Sequence, residues 1–310
     1  MDIRGLQPRS PAPGAGHPAS GEAPNPVLSE RSERAAAQAR LEAFAAGSEP
    51  EAPPSCGTDD DDASPQSGVP GAVLFAREPS DVHEVEPTDV KQGAIADCYL
   101  MATLCALAGS PAGRDLIRRA ITENKNARGE TVSYTVTLHR PDAGWLRTTF
   151  TDVRVTVDAT FPSRHAIPAA APDGRAEVWP LVLEKAYAAY VGSYRAIGGH
   201  GGLPADAMRV LTGREASCIA LSRTLGIPSY GATELQRDLI AGKLIVLGTG
   251  AATARADLVA KHAYWVSGTT VQNGKLYVTL HNPWNALDPA PVPVEDLDRL
   301  FTAVHVGSVR

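Results

Sequence analysis

The chain has 310 residues, a formal net charge of −6 and a hydrophobic content of 43%, enough for one or two domains with a sizeable buried core. The acidic balance, with no basic aromatic segment, zinc-finger spacing or phosphate-cradling glycine loop, argues against a nucleic-acid partner. No run of eighteen apolar residues occurs, so no transmembrane helix is expected, and the four cysteines, Cys56, Cys98, Cys105 and Cys218, show neither paired nor metal-type spacing, which suits a reducing compartment.

Residues 1–70 differ in character from the rest. They are rich in Pro, Gly, Ser and Ala, carry the acidic run Asp59 to Asp62, and read as a disordered tail. One island, Glu30 to Ala46, predicts a helix capped by Ser29 and stopped at Gly47. The tail lacks the charged start and apolar stretch of a secretory signal peptide. It is open to three roles: linker, pro-segment, or address for a specialised secretion system. The expected location is accordingly cytoplasmic, or exported without a cleavable signal peptide.

From residue 71 a structured module is expected, with a helical half over about 86–220 and a β-rich half over about 221–310. Leu100, Met101, Leu104, Leu107 and Ala108 recur at helical spacing until Gly109 and Pro111, which puts Cys98 in the first turn of a helix with Asp97 as N-cap. Free N–H groups and the positive dipole end there favour a thiolate, the form a nucleophile needs. The alternative is a small core residue, as expected for Cys105 two turns on. Residues 131–139 and 153–158 alternate as strands; 177–191, 205–211 and 233–241 read as helices; Leu244 to Gly248 reads as a buried strand. Helices first and strands later indicate an α+β fold.

Two further strands, His262 to Gly268 and Leu276 to Trp284, flank the hairpin signal Asn273-Gly274, so the returning chain can bring His262 to Asn282. Cysteine, histidine and asparagine are the three groups of thiol acyl transfer: nucleophile, proton carrier, and an amide that orients the imidazole. Register is the check. A two-residue turn pairs Gln272 with Lys275 and hence Trp265 with Asn282, leaving His262 on the opposite face. A longer loop, Thr270 to Gly274, is therefore expected. His281, adjacent to Asn282, should point to the other face and is the weaker candidate base.

These residues carry a resemblance. Thr88-Asp89-Val90-Lys91-Gln92-Gly93 leading into Asp97-Cys98-Tyr99-Leu100, then Val157 to Pro162, Trp179 to Tyr190, Gly192-Ser193-Tyr194 with Gly198-Gly199, Leu211-Thr212-Gly213, His262-Ala263-Tyr264 and Asn282-Pro283-Trp284 follow one another in order. Over roughly residues 73–310 the chain resembles the catalytic core of the calpain family of papain-like cysteine proteases, in a single-module, bacterial-type form. The resemblance implies a papain-like fold in which a helical half carrying the nucleophile faces a β-rich half carrying histidine and asparagine. It implies Cys98 as nucleophile, His262 as proton carrier, Asn282 as its orienter, Gln92 as oxyanion donor and Trp284 as a cover over the His–Asn bond. An ordinary core tryptophan is the other reading of Trp284.

The expected activity is that of an endopeptidase acting on a protein or peptide substrate through an acyl-enzyme, with no required cofactor. A deamidase or acyltransferase uses the same groups, and a catalytically silent binding module would keep the fold alone. Departures limit the inheritance. Ala96 replaces the usual glycine, Tyr99 the usual tryptophan, and Asn285-Ala286-Leu287-Asp288 the acidic stretch after Trp284. The resemblance implies one calcium site at Asp89 and Glu184, whose other reading is a cap and an ion-paired glutamate; a second, through Asp288, would be incomplete.

Overall fold

A computed structural model describes residues 66–77, 81–143, 147–162, 166–170, 174–199 and 201–310. The tail up to residue 65, with the expected helix at 30–46 and Cys56, lies outside the described residues.

Two short strands, β1 (Gln66–Gly68) and β2 (Ala72–Val73), lead into the segment before the first long helix, Cys98–Ala108. That helix is apolar on every face because it is surrounded: Tyr99 to Ala108 are all buried. It ends at Gly109, where an added Cβ would sit 2.2 Å from the Trp265 ring, so only glycine permits this approach to the neighbouring sheet. Ser110 then caps the helix Pro111–Ala120, its Oγ accepting from Gly113 N at 3.0 Å.

The first half is not purely helical. β3 (Ile121–Lys125), β4 (Thr131–Ala143) and β5 (Thr148–Asp158) form a three-stranded antiparallel meander whose alternate residues Tyr134, Val136 and Leu138 enter the core. β6 (Thr160–Pro162) returns to pair with β1, while β7 (Ala169–Ala170) and β8 (Ala176–Glu177) join β2. The helix Trp179–Val191 is buried from Trp179 to Ala188, and Trp179 Nε1 donates to Asp89 Oδ2 at 3.1 Å. A short turn of helix, Tyr194–Gly198, and the helix Pro204–Thr212 complete this half.

The chain enters the second sheet at β9 (Ala216–Ala220), slightly before the expected boundary. After the hairpin β10 (Arg223–Thr224) and β11 (Ile227–Pro228) and the helix Ala232–Ile240 come β12 (Leu244–Gly248), β13 (Ala263–Gln272), β14 (Lys275–His281), β15 (Val292–Pro293) and, after the short helix Leu297–Leu300, β16 (Ala303–Gly307). With β9 they form a six-stranded antiparallel sheet in the order β15-β14-β13-β12-β16-β9. β12 explains how the halves meet. Its Leu244 and Val246 belong to the core that includes the Cys98 helix, whereas Ile245 and Leu247 belong to a second core with Tyr264, Val278, Leu280 and Trp284. One face of the sheet thus receives the helical half, and the molecule is α+β. Among the described residues no helix is long and apolar enough to cross a membrane.

The β13–β14 hairpin corrects one expectation. Its turn is tight, with Gln272 paired to Lys275 and Asn273 at φ 51° and Gly274 at φ 75°, not the longer loop from Thr270. The register is changed instead by a bulge between Val266 and Gly268, so that Trp265 faces His281. Continued by one residue, that register sets Tyr264 against Asn282. Tyr264 shares a strand face with His262, so the single extra residue, Ser267, restores the parity that a tight turn alone would destroy.

Deleting Ser267 should therefore separate His262 from Asn282, whereas Ser267→Ala, which loses only the Oγ bond to Thr279 O at 3.2 Å, should not. Thermal melts with NMR of the His262 ring would separate the two variants; a deletion that left the ring resonances unchanged would mean the parity is set elsewhere.

Candidate active site

His262 and Asn282 come together under an aromatic lid. His262 Nε2 and Asn282 Oδ1 lie 2.9 Å apart, and both residues are buried. Trp284 N also donates to Asn282 Oδ1, at 3.1 Å, which turns the amide so that its oxygen faces the ring. An oxygen can only accept, so the imidazole carries its proton on Nε2 and leaves Nδ1 free as an acceptor. The rings of Trp284 and Tyr264 pack on the imidazole with centroids 4.8 Å and 5.0 Å away. This shield excludes water and strengthens the bond beneath it. Burial lowers the His262 pKa to about 4, against the weaker opposing effect of Asn282.

Cys98 begins its helix as expected, but its electrostatics differ from the expectation. Burial pushes the thiol up to about 12, outweighing the backbone N–H of Ala263 that points at the sulfur and the donors of its own helix start. The sulfur rests 4.0 Å from Lys261 O, and no hydrogen bond joins it to His262. In this arrangement thiol and imidazole are both neutral.

Asp97 occupies the N-cap position, yet its side chain makes no capping bond. It turns inward toward Glu184. Burial raises the Asp97 pKa well above the carboxylate range, the neighbouring Glu184 raises it further, and the Gln92 amide opposes. Burial also lifts Glu184, to about 7. Asp97 Oδ2 is buried with no donor among the described residues, as it would be if it holds the proton that the two carboxyls share. Gln92, also buried, donates one N–H to Ile95 O at 2.7 Å, while its backbone N donates to Pro283 O at 2.9 Å. That second bond ties the Gln92 segment directly to the strand end carrying Asn282.

His281 lies on the other side of the hairpin, its ring 6.0 Å from that of Trp265 and its Nδ1 3.2 Å from Asp288 Oδ2. Asp288 Oδ1 accepts from Asn282 N at 2.7 Å, a bond invisible in the sequence pattern. Cys105 is buried deeper in the same helix, its sulfur 3.8 Å from Pro87 O.

The carboxylates proposed for calcium sit in separate hydrogen-bond sets. Asp89 Oδ2 accepts from Trp179 Nε1 and, at 2.7 Å, from Glu86 N; Glu184 Oε2 accepts from Ala166 N at 2.9 Å and the side chain shares the Asp97 proton. Among the described residues no group of three or more His, Cys, Asp or Glu is placed to hold a metal ion. Calcium wants about six to eight oxygens, several of them charged. In this arrangement Asp89 and Glu184 are each engaged by protein donors.

Residues 74–288 match the sequence profile of a family described as calpain family cysteine protease. The chain belongs to the calpain family. A calpain-type cysteine protease, DEK1, of Arabidopsis thaliana is 28% identical over 221 residues, which are 65% of this chain and 9% of the plant protein. The calpain-2 catalytic subunits of Gallus gallus and Homo sapiens are 28% and 26% identical over 214 and 212 residues, again 65% of this chain but 28% of either subunit. The chain thus spans a minor part of the length of these relatives. Cysteine protease chemistry is the family's common property, and the geometry above is what this calpain-family chain offers it.

Two outcomes follow from the charges. Glu184 has a folded pKa above its ordinary 4.5, so its contribution to stability is present below about 4.5 and is lost as pH rises through about 7. Glu184→Gln keeps an acceptor for Ala166 N and should gain on the wild type between pH 5 and pH 8 in urea melts; an offset equal at both pH values would remove the shared proton. Cys98 alkylation by iodoacetamide, corrected with Cys98→Ser for the exposed Cys218, should climb toward alkaline pH, without the plateau at pH 5–7 that a standing thiolate would give.

Proposed function

We propose that the chain is a cysteine endopeptidase of papain-like arrangement that cleaves a protein or peptide substrate through an acyl-enzyme. The observation that carries this reading is the His262–Asn282 bond of 2.9 Å beneath Trp284, at the ends of β13 and β14 beside the first turn of the Cys98 helix.

In this reading the thiol leaves Lys261 O for His262 Nδ1, gives up its proton there, and the sulfur attacks the scissile carbonyl. With the imidazole near 4 and the thiol near 12, the proton moves only as the carbonyl is attacked, not before. The tetrahedral oxyanion takes an N–H of the Gln92 amide, which turns to it from Asp97, and the backbone N–H of Cys98, which the helix leaves unpaired. His262 returns the proton to the departing amine, the carbon–nitrogen bond breaks, and a thioester remains. Water, deprotonated by His262, then adds to the thioester and releases the acid. Asn282 keeps Nδ1 aimed at the sulfur throughout. Removing an oxyanion donor such as Gln92 typically costs ~10²–10³ in rate.

A second reading, a binding module that kept the fold without turnover, draws on one observation: the half-buried thiol set against Lys261 O in place of the imidazole. An electrophilic epoxysuccinyl peptide probe separates the two. The protease reading expects labelling at Cys98 that is lost in Cys98→Ser, reduced at least about 10²-fold in His262→Ala, and unchanged by a calcium chelator. Equal labelling in all three proteins would favour the binding module, and chelator sensitivity would support a calcium site at Asp89 and Glu184.

A further inference from the structure

His262 is held at its main chain by a buried side chain at the end of the neighbouring strand. β12 and β13 pair regularly up to Gly248 opposite Ala263. One step further Thr249 N donates to His262 O at 2.9 Å, as a ladder would require, but the return bond is made differently. His262 N donates at 2.8 Å to the Thr249 hydroxyl, which stands where a backbone carbonyl would. The same hydroxyl donates to Val259 O at 2.6 Å. Val259 N in turn donates to the Tyr264 hydroxyl at 2.8 Å, and the Tyr264 ring packs on the imidazole. Thr249 is buried.

Resting on the proposed function, we infer that Thr249 is a positioning residue for His262, its hydroxyl fixing both the histidine main chain and the segment from Gly250 to Lys261 that delivers the Lys261 carbonyl to the sulfur. The physical reason is local. The imidazole has only two side-chain torsions between its ring and the backbone, so a displaced main chain displaces Nδ1 by a similar amount. Lys261, immediately before, sits at φ 50°, a region costly for a residue with a Cβ, and its N donates to Gly250 O at 2.7 Å. The hydroxyl is the buried clasp that keeps this turn closed. Without it His262 N loses its acceptor inside the protein, and the turn can relax only by moving the histidine.

The test compares Thr249→Val, which keeps the shape and removes the hydroxyl, with Thr249→Ser, which keeps the hydroxyl. Inactivation by the epoxysuccinyl peptide probe is resolved into its maximal rate and its half-saturating concentration, alongside thermal melts. A merely structural threonine would change the melting temperature and leave the maximal rate per folded molecule alone. Positioning expects the valine variant to lose about 10- to 10²-fold in maximal rate at an unchanged half-saturating concentration, and the serine variant to stay within about twofold of wild type. A valine variant that inactivates at the wild-type rate, or a serine variant that loses tenfold, overturns the inference. Should the valine variant not fold, the serine result and Thr249→Ala decide it in the same way. His262→Ala is the internal control: if it labels like wild type, the protease reading fails; if it loses labelling while valine does not, only the role of Thr249 fails.

Discussion

Everything at this site hangs on the parity of one hairpin. A strand shows alternate residues to alternate faces, so His262 and Asn282 can meet only if the register between β13 and β14 sets them on the same side. The tight Asn273-Gly274 turn taken alone sets them on opposite sides. The extra residue at Ser267 moves the partner of Asn282 from Trp265 to Tyr264 and so delivers the 2.9 Å contact with His262. Trp265, on the other face, is then free to pack against Gly109 at the end of the Cys98 helix. One bulge thus aims both residues: the pair faces inward under Trp284, and the neighbouring tryptophan becomes the surface on which the helical half docks.

The charges around the pair follow from the depth to which that docking buries them. A helix start alone would favour a thiolate at Cys98, but a dipole contributes roughly 1 kcal/mol at most sites while full desolvation of a charged group shifts its pKa by several units. Burial wins, and the thiol and imidazole stay neutral. The same depth forces Asp97 and Glu184 to share a proton beside Gln92. The Asp288 carboxylate holds Asn282 N, and the remaining hydrogen bonds that place the reacting groups are to neutral partners, Trp284 N, Pro283 O, Ile95 O and the Thr249 hydroxyl. Such a lattice keeps the thiol and the imidazole themselves uncharged and leaves charge to develop on them in the reaction itself.

Much of this was legible in the chain. The run from Leu100 to Ala108 marked the Cys98 helix, Gly109 its end, and Leu244 to Gly248 a strand buried on both faces, because apolar periodicity reports burial directly. The resemblance through Gln92, Cys98, His262 and Asn282 agrees with the family to which the chain belongs. Gly268 inside a strand pattern was the one available hint of a bulge. Less legible was the inward turn of Asp97, since a residue at an N-cap position looks the same whether its carboxyl caps the helix or meets a partner such as Glu184, far along the chain.

The sequence by itself determined the main element types, the α+β class and the set of candidate side chains, since these depend on local pattern and residue chemistry. Only the tertiary structure decided the hairpin register, the protonation of Cys98 and His262, the pairing of Asp97 with Glu184, and the Thr249 clasp. Each of these depends on what lies across space from a residue, and a dielectric environment or a partner strand has no signature in its neighbours along the chain.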